Sequence, residues 1–268
     1  MIRISALIAT LLPLAAVAQT PPAPVEAPRP IAPYKIILIG DSTTAVIGGW
    51  GPSFCGLHVT SFAACVNLAR GGRSSGSYRA EGSWDLALNE MRTPGYKATW
   101  VLIQFGHNDQ PGKPGRSTDL ATEFPANLAR YVDEVRAAGA VPVLLTPLTR
   151  RSFKDGRLQN DLESWAEAIR RVAAQKKVAL VDLNAKSAAA VQAMGEDAAD
   201  RFAQLPKGAE PTRQDAPRVT QVQDQPMAQA RLSFDRTHLG REGADYFATM
   251  VTAELAKAVP EMRHLLIS

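Results

Sequence analysis

Histidine is scarce in this chain: its 268 residues include four, His58, His107, His238 and His264. Cysteine is scarcer, with Cys55 and Cys65 alone. Aromatic residues make up 6%, which argues against the Trp-rich surface of a lectin. Charge is nearly balanced. The formal net charge is +4, and one unit of it is Arg3, in an N-terminal segment read below as removable. So small a surplus mildly favours an acidic polymer but is no nucleic-acid footprint. No lysine turns the glycine-rich residues 71–77 into a phosphate loop, and no G-x-G-x-x-G follows a strand, so nucleotide binding is set aside. The apolar stretch at residues 4–17 is short for a membrane span and is broken by Pro13.

That stretch reads instead as a targeting segment. Arg3 supplies the positive start, residues 4–17 the apolar body, and Ala16-Val17-Ala18 the small-residue cleavage site. The expectation is a secretory signal at residues 1–18, cut after Ala18, and a periplasmic or secreted protein with no membrane contact afterwards. An uncleaved anchor is the competing reading. Residues 21–33 are rich in Pro and Ala and should stay extended, so residues 19–34 read as a tether and residues 35–268 as one domain. In an exported protein Cys55 and Cys65 can pair, contributing roughly 2–3 kcal/mol; two buried thiols is the alternative.

Hydrophobic residues amount to 46%, enough for the core of one sizeable α/β domain. Five short apolar runs recur, at residues 36–39, 65–68, 100–103, 141–145 and 178–181. The first, third and fourth are nearly continuous, as in strands covered on both faces. Helical spacing fills residues 120–138, which end at Gly139, and residues 161–177 and 184–194; a last helix should begin near Leu239 or Gly240. Alternating strands and helices imply a parallel sheet with helices on both faces, and ligands there sit beyond the carboxyl ends of the strands. Residues 206–231 break this rhythm. A loop that long is usually functional or disordered, and it leads directly into Ser233-Phe234-Asp235-Arg236-Thr237-His238.

Polar clusters follow the strands. Gly40-Asp41-Ser42 follows the first, residues 69–74 (ARGGRS) the second, and Phe105-Gly106-His107-Asn108-Asp109 the third. Acyl-transfer hydrolysis needs a hydroxyl, a base, a group that orients the base, and donors for the oxyanion. Ser42 supplies the hydroxyl, His238 the base, and Asp235, three residues before it, the orienting carboxylate. Gly72 lets its N–H approach a substrate oxygen closely, and Asn108 offers a side-chain amide. The set needs no metal or cofactor. Each part also has a plainer reading. A serine after a strand caps helices, Asp-x-x-His suits a helix N-terminus, and residues 69–76 suit a turn.

Together, GDST at residues 40–43, N-x-A-x-x-G at 67–72, GHND at 106–109 and D-x-T-H at 235–238 resemble the four blocks of SGNH (GDSL-type) hydrolases. GDSTT, GGRSS, QFGHND and DRTHLGREGA look most like the rhamnogalacturonan acetylesterases (carbohydrate esterase family 12-like) within them. The resemblance implies a three-layer α/β/α sandwich with five parallel strands, the flavodoxin-like SGNH hydrolase fold. It implies Ser42 as nucleophile, His238 as general base and then acid, and Asp235 as its orienter. The oxyanion hole would comprise the Ser42 and Gly72 N–H groups and Asn108. The implied substrate is an acetylated polysaccharide or oligosaccharide, pectin rhamnogalacturonan first and acetylated xylan second; a broad-specificity carboxylesterase of the same fold is a further alternative. Arg70 and Arg73, flanking the oxyanion glycine, contact uronate carboxylates, or else Arg73 braces the loop through a salt bridge.

Two rivals belong to other classes. A metallophosphoesterase would draw on Asp41, His107, Asn108, Asp109, Asp235 and His238, but such centres need several histidines, and only His107 and His238 lie in polar clusters. A non-catalytic polysaccharide-binding protein would leave this full set of parts a coincidence. The remaining residues have structural readings. His107 packs or hydrogen-bonds within its loop, His58 is a surface residue, His264 belongs to a terminal tail, Trp84 and Trp165 sit in the core rather than face a glycan, and Asp41 holds the nucleophile turn.

Overall fold

The computed structural model describes residues 31–209, 232 and 234–267. The expected signal, most of the tether, and the loop from residue 210 to 231 lie outside the described residues. From Ala32 the chain forms one compact unit.

Its elements run β1 (Tyr34–Gly40), α1 (Gly51–Leu57), β2 (Ala63–Asn67), α2 (Ser77–Ala80), α3 (Ser83–Met91), β3 (Thr99–Gln104), α4 (Glu123–Ala137), β4 (Val141–Leu145), β5 (Phe153–Lys154), β6 (Arg157–Leu158), α5 (Glu163–Lys176), β7 (Ala179–Val181), α6 (Leu183–Met194), α7 (Glu196–Asp200) and α8 (Arg241–Ala258), and a 3₁₀ turn (Pro260–Leu265) follows. Five strands form one parallel sheet in the order β2-β1-β3-β4-β7, and β5 and β6 form a separate small hairpin. All five expected strands and all four expected helices are present. The first strand starts at Tyr34, one residue inside the expected tether, and the second sits at Ala63–Asn67 rather than 65–68.

The apolar runs are continuous because successive side chains point to opposite, equally buried faces. Ile36, Leu38, Trp100, Leu102, Val143, Leu145 and Val181 pack on one side with Phe54 of α1, Val191 of α6 and Phe247, Val251 and Leu255 of α8. Their neighbours Ile37, Ile39, Val101, Ile103 and Leu144 pack on the other side with Trp84 of α3, Leu128, Val132 and Val135 of α4, and Ile169 and Val172 of α5. This is the three-layer α/β/α arrangement. In α4 the buried residues Phe124, Leu128, Tyr131, Val132 and Val135 follow the helical period, each contributing about 1.5–3 kcal/mol on burial. The helix stops where Gly139 takes φ +78° and the Ala140 N–H returns to Val135 O at 3.0 Å.

Several elements carry little sequence signal. The α1 segment holds two glycines and a proline. The α3 helix is short, and its apolar positions include Leu86, 65% exposed. The β5–β6 hairpin has two residues per strand. Trp84 and Trp165 are both core residues. His58, expected at the surface, is 9% exposed instead, because its ring bonds the carbonyl of Ile267 at 2.8 Å where the C-terminal residues fold back.

Cys55 of α1 and Cys65 of β2 form a disulfide across a separation of 10 residues. Closing so short a ring removes unfolded-state entropy and pins α1 to the edge strand. Reduction should lower the unfolding free energy by about 2–3 kcal/mol, read as a fall in the urea midpoint. An unchanged midpoint in protein whose two thiols have been titrated as free would refute this.

Candidate active site

Register places the site. Starting from β1, the chain moves to β2 on one side and then returns to β3 on the other, so the order reverses at β1. Gly40 is opposite Gln104, Leu38 opposite Asn67, and Gln104 opposite Leu145. The polar clusters after β1, β2 and β3 therefore meet at the same end of the sheet.

Ser42 lies in a tight turn. No helix begins there; α1 starts at Gly51, so the helix-cap reading does not describe it. Asp41 builds the turn: its Oδ1 accepts from Thr43 N and Thr43 Oγ1, both at 2.8 Å, and its carbonyl accepts from Thr44 N and Ala45 N at 3.2 and 3.0 Å. Gln104 anchors it from β3. Gln104 Oε1 accepts from Thr44 Oγ1 and from Trp50 Nε1 at 2.9 Å, and Nε2 donates to Thr146 O at 3.2 Å. Asn67 Nδ2 donates to Thr44 O at 2.9 Å. Gly40 is obligatory, since a Cβ there would come within 2.7 Å of the Gln104 carbonyl.

His238 Nε2 lies 2.9 Å from Ser42 Oγ, and His238 Nδ1 lies 2.9 Å from Asp235 Oδ2. An ionised carboxylate only accepts, so Nδ1 carries the proton and Nε2 is left to accept from the serine hydroxyl. Asp235 Oδ1 also accepts from the N–H groups of Thr237 at 2.8 Å and His238 at 2.7 Å. Burial alone would raise the Asp235 carboxyl, but the His238 ring and these backbone donors outweigh it and hold it at about 2. The turn is not a helix N-terminus, because α8 starts only at Arg241. Arg236 points away to Asp200 and Glu196 of the α6–α7 region. Leu239 N donates to Gly48 O at 2.8 Å, and a Cβ on Gly48 would stand 3.3 Å from His238 Cβ and Cδ2. The exposed side-chain fractions of His238 and Asp235, 37% and 33%, leave room for a substrate.

The glycine loop stands beside the serine. Arg70 N donates to Gly40 O at 3.0 Å, and a Cβ on Gly71 would lie 3.7 Å from Ser42 Cβ. Gly72 takes φ +78°, a conformation that favours glycine. Among the described residues, neither the Ser42 N–H nor the Gly72 N–H donates to a protein acceptor. Asn108 Nδ2 donates to Arg73 O at 3.0 Å, which orients the amide over this loop and leaves its second N–H for another acceptor. Arg73 braces the loop: its guanidinium bonds Glu81 at 2.7 Å and Gly71 O at 2.8 Å. Arg70 Nη1 donates to Ser83 Oγ at 2.9 Å.

Two residues of the GHND block stand behind the site. Asp109 accepts from Ser75 N at 3.0 Å and Ser75 Oγ at 2.6 Å, joining the β3 loop to the glycine loop. Burial pushes Asp109 up to about 6 against these donors. His107 does not merely pack within its own loop; it reaches the nucleophile turn, its Nδ1 3.3 Å from Asp41 Oδ2. Burial opposes the Asp41 charge, but His107 and the Thr43 donors prevail and hold the carboxyl below its usual range. Gln104 and Gly48 escaped the sequence reading. A glutamine ending a buried strand was the available signal for the first; nothing local marks the second. Among the described residues, no group of three or more His, Cys, Asp or Glu could hold a metal ion.

Over 234 residues the chain is 30% identical to the probable rhamnogalacturonan acetylesterase YesY of Bacillus subtilis (strain 168), covering 85% of this chain and 93% of that one. Rhamnogalacturonan acetylesterase RhgT of the same organism is 35% identical over 178 residues, covering 63% of this chain and 73% of its own. The crystal structure of the YXIM protein of Bacillus subtilis superposes with a TM-score of 0.63 at 22% identity; it covers 85% of this chain, which spans 58% of that protein. The GDSL-like lipase/acylhydrolase family model matches residues 38–246, and the chain belongs to that family.

Proposed function

We propose that this acylhydrolase is an exported serine esterase that removes O-acetyl groups from plant cell-wall polysaccharide, with pectin rhamnogalacturonan as its first substrate. The observation that carries the chemistry is the hydrogen-bonded series Ser42–His238–Asp235, beside a loop where, among the described residues, the Ser42 and Gly72 N–H groups donate to no protein acceptor. The substrate rests on the relatives, which are named as rhamnogalacturonan acetylesterases. Export rests on Arg3 and the apolar residues 4–17.

The reaction follows from the atoms in place. Ser42 Oγ attacks the acetyl carbonyl carbon as its proton passes to His238 Nε2. The carbonyl oxygen becomes an oxyanion, held by the Ser42 and Gly72 N–H groups and the second N–H of Asn108. Asp235, ionised and hydrogen-bonded to Nδ1, stabilises the imidazolium. As the bond to the sugar oxygen breaks, His238 gives that oxygen its proton, leaving acetyl-Ser42. Water then attacks the acyl group and loses a proton to His238. Acetate departs and Ser42 regains its hydrogen.

Ser42→Ala should lower kcat by at least about 10⁴-fold with the fold intact, measured as acetate released from acetylated rhamnogalacturonan, acetylated xylan and a small aryl acetate. Retained turnover would remove the nucleophile assignment. Release from xylan but not from rhamnogalacturonan would overturn the substrate alone.

With Asp235 held at about 2, it stays ionised throughout the mildly acidic range. The acid limb of kcat/KM should therefore not report Asp235, and kcat/KM should fall on acidification because His238 must be neutral to accept the Ser42 proton. A rate independent of pH from alkaline conditions to pH 4 would exclude a histidine base.

A further inference from the structure

The turn carrying Asp235 and His238 has no regular structure of its own, so its peptide carbonyls need donors from elsewhere. One residue supplies all four in a row. The Arg151 N–H donates to Arg236 O at 2.8 Å. Its guanidinium Nη2 donates to Asp235 O at 3.0 Å and His238 O at 2.8 Å, and Nη1 reaches Thr237 O at 3.4 Å. Arg151 is fully buried, and among the described residues no carboxylate forms a salt bridge with it. Burying a cation on carbonyl dipoles alone is costly, and burial pushes Arg151 down to about 10 against the pull of Asp235 and Asp200. The neighbouring Arg150 turns outward to Asp161 and Gln110.

The geometry accounts for the choice of residue. A guanidinium is a planar fork whose donors point in set directions, whereas lysine has one nitrogen that cannot span spaced carbonyls. Asp235 Oδ1 holds the same turn by its N–H groups, so the turn is gripped on both sides. A shift of about 1 Å in a reacting group costs about 10²-fold in rate.

We infer that Arg151 is a positioning residue of the esterase reaction: through the carbonyls of residues 235–238 it sets His238 Nε2 against Ser42 Oγ, and it acts on kcat rather than on substrate binding. The inference rests on the Ser42–His238–Asp235 reading above.

The test uses the full chain with 4-nitrophenyl acetate, a small ester with few contacts beyond the acyl group. Arg151→Met and Arg151→Lys are compared with Arg150→Met and Ser42→Ala, with thermal melting to establish folding. For folded Arg151→Met, kcat should fall about 100-fold with KM within about threefold. Arg151→Lys should recover less than tenfold of that loss, and Arg150→Met should leave kcat unchanged. In Arg151→Ala, millimolar guanidinium should raise kcat relative to equal sodium chloride. If Arg151→Met does not melt cooperatively, Arg151→Lys carries the test. Any folded Arg151 variant with kcat within about threefold of the parent overturns the inference while Ser42→Ala is inactive. An active Ser42→Ala would overturn the underlying site reading instead.

Discussion

The site depends on the parallel pairing of β1 with strands on both its sides. Parallel strands end together, so three loops that are distant in sequence leave the sheet at one edge. Gly40 opposite Gln104 is the tightest point, since the Gln104 carbonyl occupies the space a side chain on residue 40 would need. The same glutamine then reaches across to Thr44, Trp50 and Thr146, linking the ends of β1, β3 and β4. Turning the glycine into any larger residue would move the serine turn off the sheet.

Around that frame, polar groups are used in two distinct ways. Asp41, Gln104, Asn67, Arg73 and Asp109 spend their hydrogen bonds on the protein and make loops rigid. Among the described residues, the Ser42 hydroxyl bonds His238 and the N–H groups of Ser42 and Gly72 donate to no protein acceptor, so these groups remain available. A preorganised site needs both kinds, because donors that must reorganise during reaction lose much of their electrostatic value. The Asp235–His238 turn combines the roles: one carboxylate oxygen orders the backbone and the other orients the imidazole.

Much of this was legible beforehand. Ile36–Ile39 reads as a strand buried on both faces because four apolar residues in a row leave no solvent face. The polar residues after it identify the sheet's carboxyl end. Ser42, Gly72, Asn108, Asp235 and His238 were found as motif members. What stayed hidden was of a different kind. Arg151 shows no pattern, because a buried arginine looks like a surface one until its carbonyl partners are known. His107 and His58 were misplaced for the same reason: their partners, Asp41 and Ile267, are 66 and 209 residues away in sequence. The short α1, α3 and β5–β6 elements gave too few periods to read.

The sequence by itself determined the layers, the strand count and the members of the candidate site, since hydrophobic period and residue chemistry are local properties. Tertiary structure alone decided that Ser42 meets His238 at 2.9 Å, that Arg73 serves the glycine loop, and that one buried arginine holds four carbonyls, three through its guanidinium and one through its backbone N–H. Those are statements about distance between segments far apart in the chain, and distance is set by how strands pair and pack, which no local pattern encodes.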